Sequence, residues 1–303
     1  MSSDSSSLPR GAAPHIRTKK DTGFLGLLYT LSLLPLFAAS VYRHGLMGFL
    51  LPCISMLIFA GVEMAASFFV FKRRGTFDFF CVAAGLASAL ILPAQIPVPF
   101  FLLLILGLAV IGRQLLERQL MVFVCLPLVG RLAAGFLYED LFVFGVGEPL
   151  AGRLAGVGFS TMGGDCVLAL SLSYLFLLLN SWLRRKLTPI FLLLSMVCFA
   201  VFRFFFAGDT ALGEFLFTGG ALFVAVFALA DPRTTPYTFA GQMAYAGCGA
   251  AGSVVLWQLG FSVNAGVISI LALQVVFCLL RLPFFQILFR DIFYWKKRKG
   301  RSV

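Results

Sequence analysis

The residues of this chain best suited to chemistry stand where an apolar run stops. Thr218-Gly219-Gly220 opens a stretch of aliphatic and aromatic residues that closes on Asp231-Pro232, with Thr234, Thr235 and Thr238 just beyond. Small residues let a backbone approach a flat ligand closely, and a carboxylate with hydroxyls can grip its polar groups or an ion. A membrane helix leaving the bilayer through a turn has the same composition, so this segment alone does not separate the two. Glu63 is a second candidate, standing inside another apolar run nine residues before Lys72. At the helical rise it lies about 13 Å from that basic anchor. A carboxylate at such depth is expensive unless paired, protonated or hydrated, and its own run supplies no Lys or Arg; an ion path and a structural pair are the two readings. The third candidate is Gly158-Phe159-Ser160-Thr161-Met162-Gly163-Gly164-Asp165, an ordinary exposed loop or a cradle for a cofactor.

Other chemistries are excluded by what is missing. The seven cysteines are scattered singly with no C-x-x-C pair, which argues against zinc or an iron–sulfur cluster held by this chain alone; they read as apolar packing. His15 and His44, the only histidines, fall outside the apolar runs, so bis-histidine haem within a bilayer is excluded. No dinucleotide fingerprint follows a strand, and any redox cofactor is expected to be organic.

The elements that position these residues are set by composition. Of the 303 residues 60% are hydrophobic and 12% charged, and mean hydropathy is +0.97. A soluble domain of this length has no interior large enough for so much apolar surface, whereas a bilayer accepts it. A spanning helix takes about 20 apolar residues, and ten segments qualify: 24–42, 46–71, 79–96, 98–112, 119–138, 166–183, 189–207, 211–230, 241–259 and 263–281. The expectation is an all-α integral membrane protein of about ten transmembrane helices. Residues 1–22 form a disordered cytoplasmic tail, 23–290 the polytopic domain and 291–303 a basic cytoplasmic tail. The first apolar run has spanning length with no cleavage pattern after it, which reads as a retained helix rather than a signal peptide. With both ends inside, the inner loops collect every Lys and Arg except Arg43, Arg131, Arg153 and Arg203, as the positive-inside rule requires. The net charge of +11 then describes a cytoplasmic membrane surface, not a nucleic-acid partner.

Ten spans divide into five and five, and an odd number per half admits an inverted repeat. The third span of each half is then the place to look. One reads Gly85 to Pro93, with Pro97 and Pro99 following; the other runs from Gly219 to Pro232. Interrupted hydrophobic segments at matching positions point to a site near the midplane, because their freed backbone groups survive there only when protein, cofactor or water satisfies them.

Taken together, the segments resemble the D subunit of the Rnf electron-transport complex and the related B subunit of the sodium-translocating NADH:quinone reductase, over about residues 13–290. Ala13-Pro14-His15-Ile16 looks like that family's motif ahead of its first span, and Glu63 falls where the family has a glutamate before a basic turn. Asp78, Gly85 and Pro93 follow its Asp…Thr-Gly…Leu-Pro pattern with Ala84 in place of the threonine. Arg113-Gln114-Leu115 and Val129-Gly130-Arg131 match the two ends of a further block, and Thr218-Gly219-Gly220 through Phe227 to Asp231-Pro232 and Thr234 is the most specific match. The departures are equally definite. The Gly/Asn-rich stretch between Gln114 and Val129 is gone, and Ala240 and Gln242 replace two arginines. Where members esterify FMN to the threonine of an Asp-Gly-x-Ser-x-Ala-Thr motif, this chain has Val157 for Asp and Gly163 for the acceptor.

The resemblance implies a membrane subunit of a flavin-dependent complex, not catalytic alone, that couples electron transfer from ferredoxin or NADH to Na⁺ or H⁺ movement across the bacterial cytoplasmic membrane. It implies further subunits as partners, and FMN or riboflavin held non-covalently or lost. Its cofactor residues would be Ser160, Thr161, Thr218, Gly219, Gly220, Asp231 and Thr234, and its ion path Glu63 and Asp78. The alternatives are an inverted-repeat transporter or channel without a redox group, and a structural subunit that has lost its flavin.

Overall fold

The computed structural model describes residues 22–69, 79–119, 124–142, 161–178, 187–206, 215, 220–231, 233–236, 239–261 and 264–281. The two tails, Asp78, Ser160, Thr218 and Gly219 lie outside these residues. Those described are mostly helical, and a single antiparallel bridge, Pro93 to Thr161, is the one β pairing among them.

Helix α1 (Thr22–Ser32) bends at Leu33 into α2 (Leu34–Phe69). Gly45 divides α2 with φ 58°, ψ −131°, a conformation open to glycine and costly for other residues. The break falls between the first two apolar segments and lets the chain turn back. Helix α3 (Phe79–Leu90) then packs between α1 and α2. Its run of Ala, Gly and Ser permits this: a methyl group on Gly85 would stand 2.9 Å from the Ser55 carbonyl oxygen, and Ser55 Oγ donates to the Gly85 carbonyl at 2.7 Å. Small residues at membrane-type helix contacts serve this purpose generally.

Pro97 and Pro99 open α4 (Val98–Gly107), which continues without interruption as a π-helix, Leu108–Gln119. Helix α5 (Leu126–Leu137) carries Pro127 in its first turn and is followed by a short turn, Glu139–Leu141. Helices α6 (Val167–Leu178) and α7 (Leu187–Phe206) follow. A brief helix, Ala221–Phe223, runs into a π turn, Val224–Ala228, before α8 (Phe239–Gln258) and α9 (Ala265–Arg281) close the described fold.

Among the described residues two helices, Gly26–Phe68 and Val98–Glu117, are long and apolar enough to cross a membrane, and Phe79–Leu90, Leu126–Leu137, Val167–Leu178, Leu187–Arg203 and Ala265–Cys278 are shorter apolar helices. Leu57, Leu103, Leu172 and Leu193 stand exposed on their outer faces, as side chains solvated by lipid do. The core is centred on α3 and the π turn: Leu86, Leu90, Phe223 and Phe227 are all buried.

Both expected interruptions are present, and protein groups close them. Helix α3 stops at Leu90; the Ile91 and Leu92 amides still bond back to the Ala87 and Ala89 carbonyls, and Ile91, Leu92 and Pro93 continue buried as a turn. The Leu90 carbonyl accepts from the Gly163 and Gly164 amides at 3.0 and 2.9 Å, and the Leu92 carbonyl from the Met162 amide at 2.9 Å. At the second interruption Tyr29 Oη donates to the Phe227 carbonyl at 2.9 Å and Thr188 Oγ1 to the Ala225 carbonyl at 2.7 Å.

Candidate functional site

Two polar networks lie at opposite ends of α3. Phe80 belongs to one and Leu90 to the other, about 15 Å apart along the helix axis.

The first is a chain of charges. Glu63, on α2 and 1% exposed, accepts from Gln114 Nε2 at 2.9 Å and stands 3.8 Å from Arg113 Nε. Arg113 also pairs with Glu117, four residues on. Glu117 receives Arg233 Nη1 at 3.3 Å, and Arg233 in turn forks onto Asp231, with Nη2 to Oδ2 at 3.0 Å and Nε to Oδ1 at 3.2 Å. The Arg233 guanidinium lies 4.4 Å from the centre of the Phe80 ring, a favourable cation–π placement. Asp231 is held from below as well: its Oδ1 accepts the Arg233 amide at 2.9 Å, and Thr235 Oγ1 donates to its carbonyl at 2.9 Å. Thr234 Oγ1 reaches the Ala228 carbonyl at 3.4 Å, so it caps the π turn.

The π-helix makes this possible. The sequence expectation ended the fourth span at residue 112 and placed Arg113 in an inner loop, leaving Glu63 without an intramembrane cation. In the structure the same element continues to Gln119 and carries Arg113 and Glu117 inward, both buried. A removed charge left alone at such depth is costly; in this network each carboxylate faces a guanidinium. A cleft of about 20 Å³ opens beside it, lined by Tyr29, Phe80, Cys125, Glu117, Asp231 and Arg233, with room for about one water.

The second network is built on the loop before α6. Thr161 Oγ1 donates to Asp165 Oδ2 at 2.8 Å and accepts the Asp165 amide at 3.2 Å. Asp165 Oδ1 lies 3.5 Å from Nη1 of Arg131, which is wholly buried and stacks 5.3 Å from the Phe142 ring. The guanidinium also packs against Gly220, where a methyl group would come within 3.0 Å of it and the backbone has φ 67°. Arg43 Nη1 and His44 Nε2 approach the Thr161 carbonyl at 3.4 and 3.3 Å. Burial pushes the His44 imidazole below its ordinary pKa; the Thr161 carbonyl opposes the shift and Arg43 adds to it.

The named residues thus fall into two groups. Glu63, Asp231 and Thr234 belong to the first network, Thr161 and Gly220 to the second. Of the residues that join them, Arg113 and Arg131 were read from sequence as orientation markers and as the two ends of a family block, Arg233 as an orientation marker alone, and Glu117 not at all. The spacing of four between Arg113 and Glu117 was the signal available for their pairing.

A flavin ester can be tested against the second network. Gly163 has no hydroxyl, and a Cβ there would stand 2.7 Å from the Leu36 carbonyl oxygen, so the position turns into the protein. The neighbouring Thr161 hydroxyl is 1% exposed by residue and committed to Asp165 on both sides. Neither residue fits an ester-linked flavin at this loop, and no step is derived through one.

Among curated proteins none matches this chain. Residues 10–283 match the NQR2, RnfD, RnfE family throughout. That range carries Glu63, the interrupted α3, the Thr161–Asp165 loop and the Asp231 turn; the chain belongs to the NQR2, RnfD, RnfE family, whose members are membrane subunits of ion-translocating electron-transport complexes.

Proposed function

We propose that this chain is the membrane subunit of an Rnf-type complex and that its own part is to carry the coupling ion, Na⁺ or H⁺, through the charge network from Glu63 to Asp231. The observation that supports this is the continuity of that network. Carboxylates on α2, the π-helix and the turn after the second interruption alternate with Arg113 and Arg233 in one line, buried throughout except at Arg233, whose side chain is 27% exposed. An unpaired carboxylate at this depth is too costly to leave charged, whereas a carboxylate sharing a guanidinium with the next can take up and pass on a cation as that guanidinium shifts between them. The energetics are adequate: one charge moved against about 100 mV costs about 2.3 kcal/mol, which a two-electron fall of about 50 mV supplies.

The reading includes ten spans as two inverted halves of five, both termini cytoplasmic, in a bacterial inner membrane. The electrons pass through flavins of the complex, with none esterified to this chain. The second reading, a structural subunit, draws support from the Thr161–Asp165 loop, which is engaged in closing the end of α3. Reconstituting the whole complex in vesicles with Glu117→Gln separates the two. Ion uptake about tenfold lower with electron transfer retained supports the relay; unchanged uptake supports the structural reading.

A further inference from the structure

A separate cavity of about 210 Å³ lies between the end of α5 and the turn joining α8 to α9, lined by Gly135, Phe136, Glu139, Gly260, Phe261 and Asn264 among others. We propose that it is the docking site for one lysine or arginine side chain of a partner membrane subunit.

Its polar groups accept hydrogen bonds. Glu139 offers an exposed carboxylate, and Asn264, 6% exposed at the start of α9, lines the cavity with an Oδ1 that has no hydrogen-bond partner. A buried carbonyl oxygen left so costs about 1–3 kcal/mol, which an incoming N–H donor removes. Among the lining residues none is basic, and Asp140 beside Glu139 is also exposed, so the complement is a cation. A single water can satisfy Asn264 but leaves the rim unexplained. Phe136 and Leu259 are 66% and 68% exposed there, and Phe261 is 47% exposed; an apolar collar around a polar centre is the usual build of a protein contact. The volume is below the about 300 Å³ at which small-molecule pockets begin, and it suits one long side chain whose aliphatic stem lies along Phe136. Family membership supplies the partner, since members are subunits of a multi-subunit membrane complex. The inference rests on that membership and not on the ion relay, so the two fail separately.

The test is made on the intact complex, with a photoreactive benzoylphenylalanine in place of Phe136. The expected adduct joins this chain to a segment of another subunit that contains Lys or Arg. An adduct confined to this chain, the segment around Arg153 included, or formed with lipid overturns the proposal. Glu139→Lys is expected to lower the adduct about tenfold, the scale of a close charge pair, while the chain stays monodisperse by size exclusion. Changing the partner's basic residue to Glu then restores it. Adduct yield unaffected by Glu139→Lys, or not restored by the swap, also overturns it; Asn264→Leu provides a second variant with the same expected direction.

Discussion

At Gly163 the backbone passes so close to the Leu36 carbonyl that a single methyl group has no place. Gly163→Ala is therefore expected to cost about 1–3 kcal/mol, the usual range for overpacking a filled site, read as a lower unfolding temperature of the detergent-solubilised protein. An unchanged temperature contradicts the packing described. His44 gives the same loop a pH dependence. Burial depresses its pKa, so the fold favours the neutral ring. That contribution is complete above about pH 6.5 and is lost as pH falls through the depressed folded value. Hydrogen-exchange protection factors of residues 161–165, corrected for the intrinsic pH dependence of exchange, are expected to fall between about pH 7.5 and pH 5 in the natural chain, and less so in His44→Asn; an equal fall in both removes His44 from the account. At these positions the sequence was informative about type and depth and silent about partners. Glu63 was recognisable as a buried carboxylate from its distance to Lys72. Its cation, Arg113, was not, because a π-helix extends the preceding span by seven residues beyond where hydropathy falls.

The interrupted helices are the elements on which both networks depend. Gly and Pro at the third span of each half announced the interruptions, and α3 does end before Pro93 while the second helix starts at Ala221, just after the left-handed Gly220. What closes them was not legible, since the donors come from far along the chain: Met162 for Leu92, Tyr29 for Phe227, Thr188 for Ala225. Such pairings follow from tertiary packing, which local pattern does not encode. Thr188→Val keeps the shape and removes the hydroxyl, leaving the buried Ala225 carbonyl without that donor. A loss of about 1 kcal/mol is expected, typical of a side-chain hydrogen bond between membrane helices, measured by thermal unfolding beside a Thr188→Ser control that retains the bond. Equal stability of Val and Ser variants contradicts the assigned role.

In the molecule as a whole, α3 separates a charged network that reaches the Asp231 turn from a loop network anchored on Arg131. The 60% hydrophobic composition made a membrane protein the expectation, and family membership agrees with it. The two-network arrangement depends on contacts between segments more than 50 residues apart, such as Gln114 with Glu63 and Arg233 with Glu117. The central claim is that the network beginning at Glu63 carries an ion while electrons pass elsewhere in the complex. The most direct measurement is the ratio of ions taken up to electrons transferred by the reconstituted complex carrying Glu63→Gln, with Glu63→Asp beside it. A ratio about tenfold lower for Gln and largely restored for Asp, at near-natural electron transfer, is the predicted result. A natural ratio in the Gln variant, or electron transfer falling in step with uptake, contradicts it.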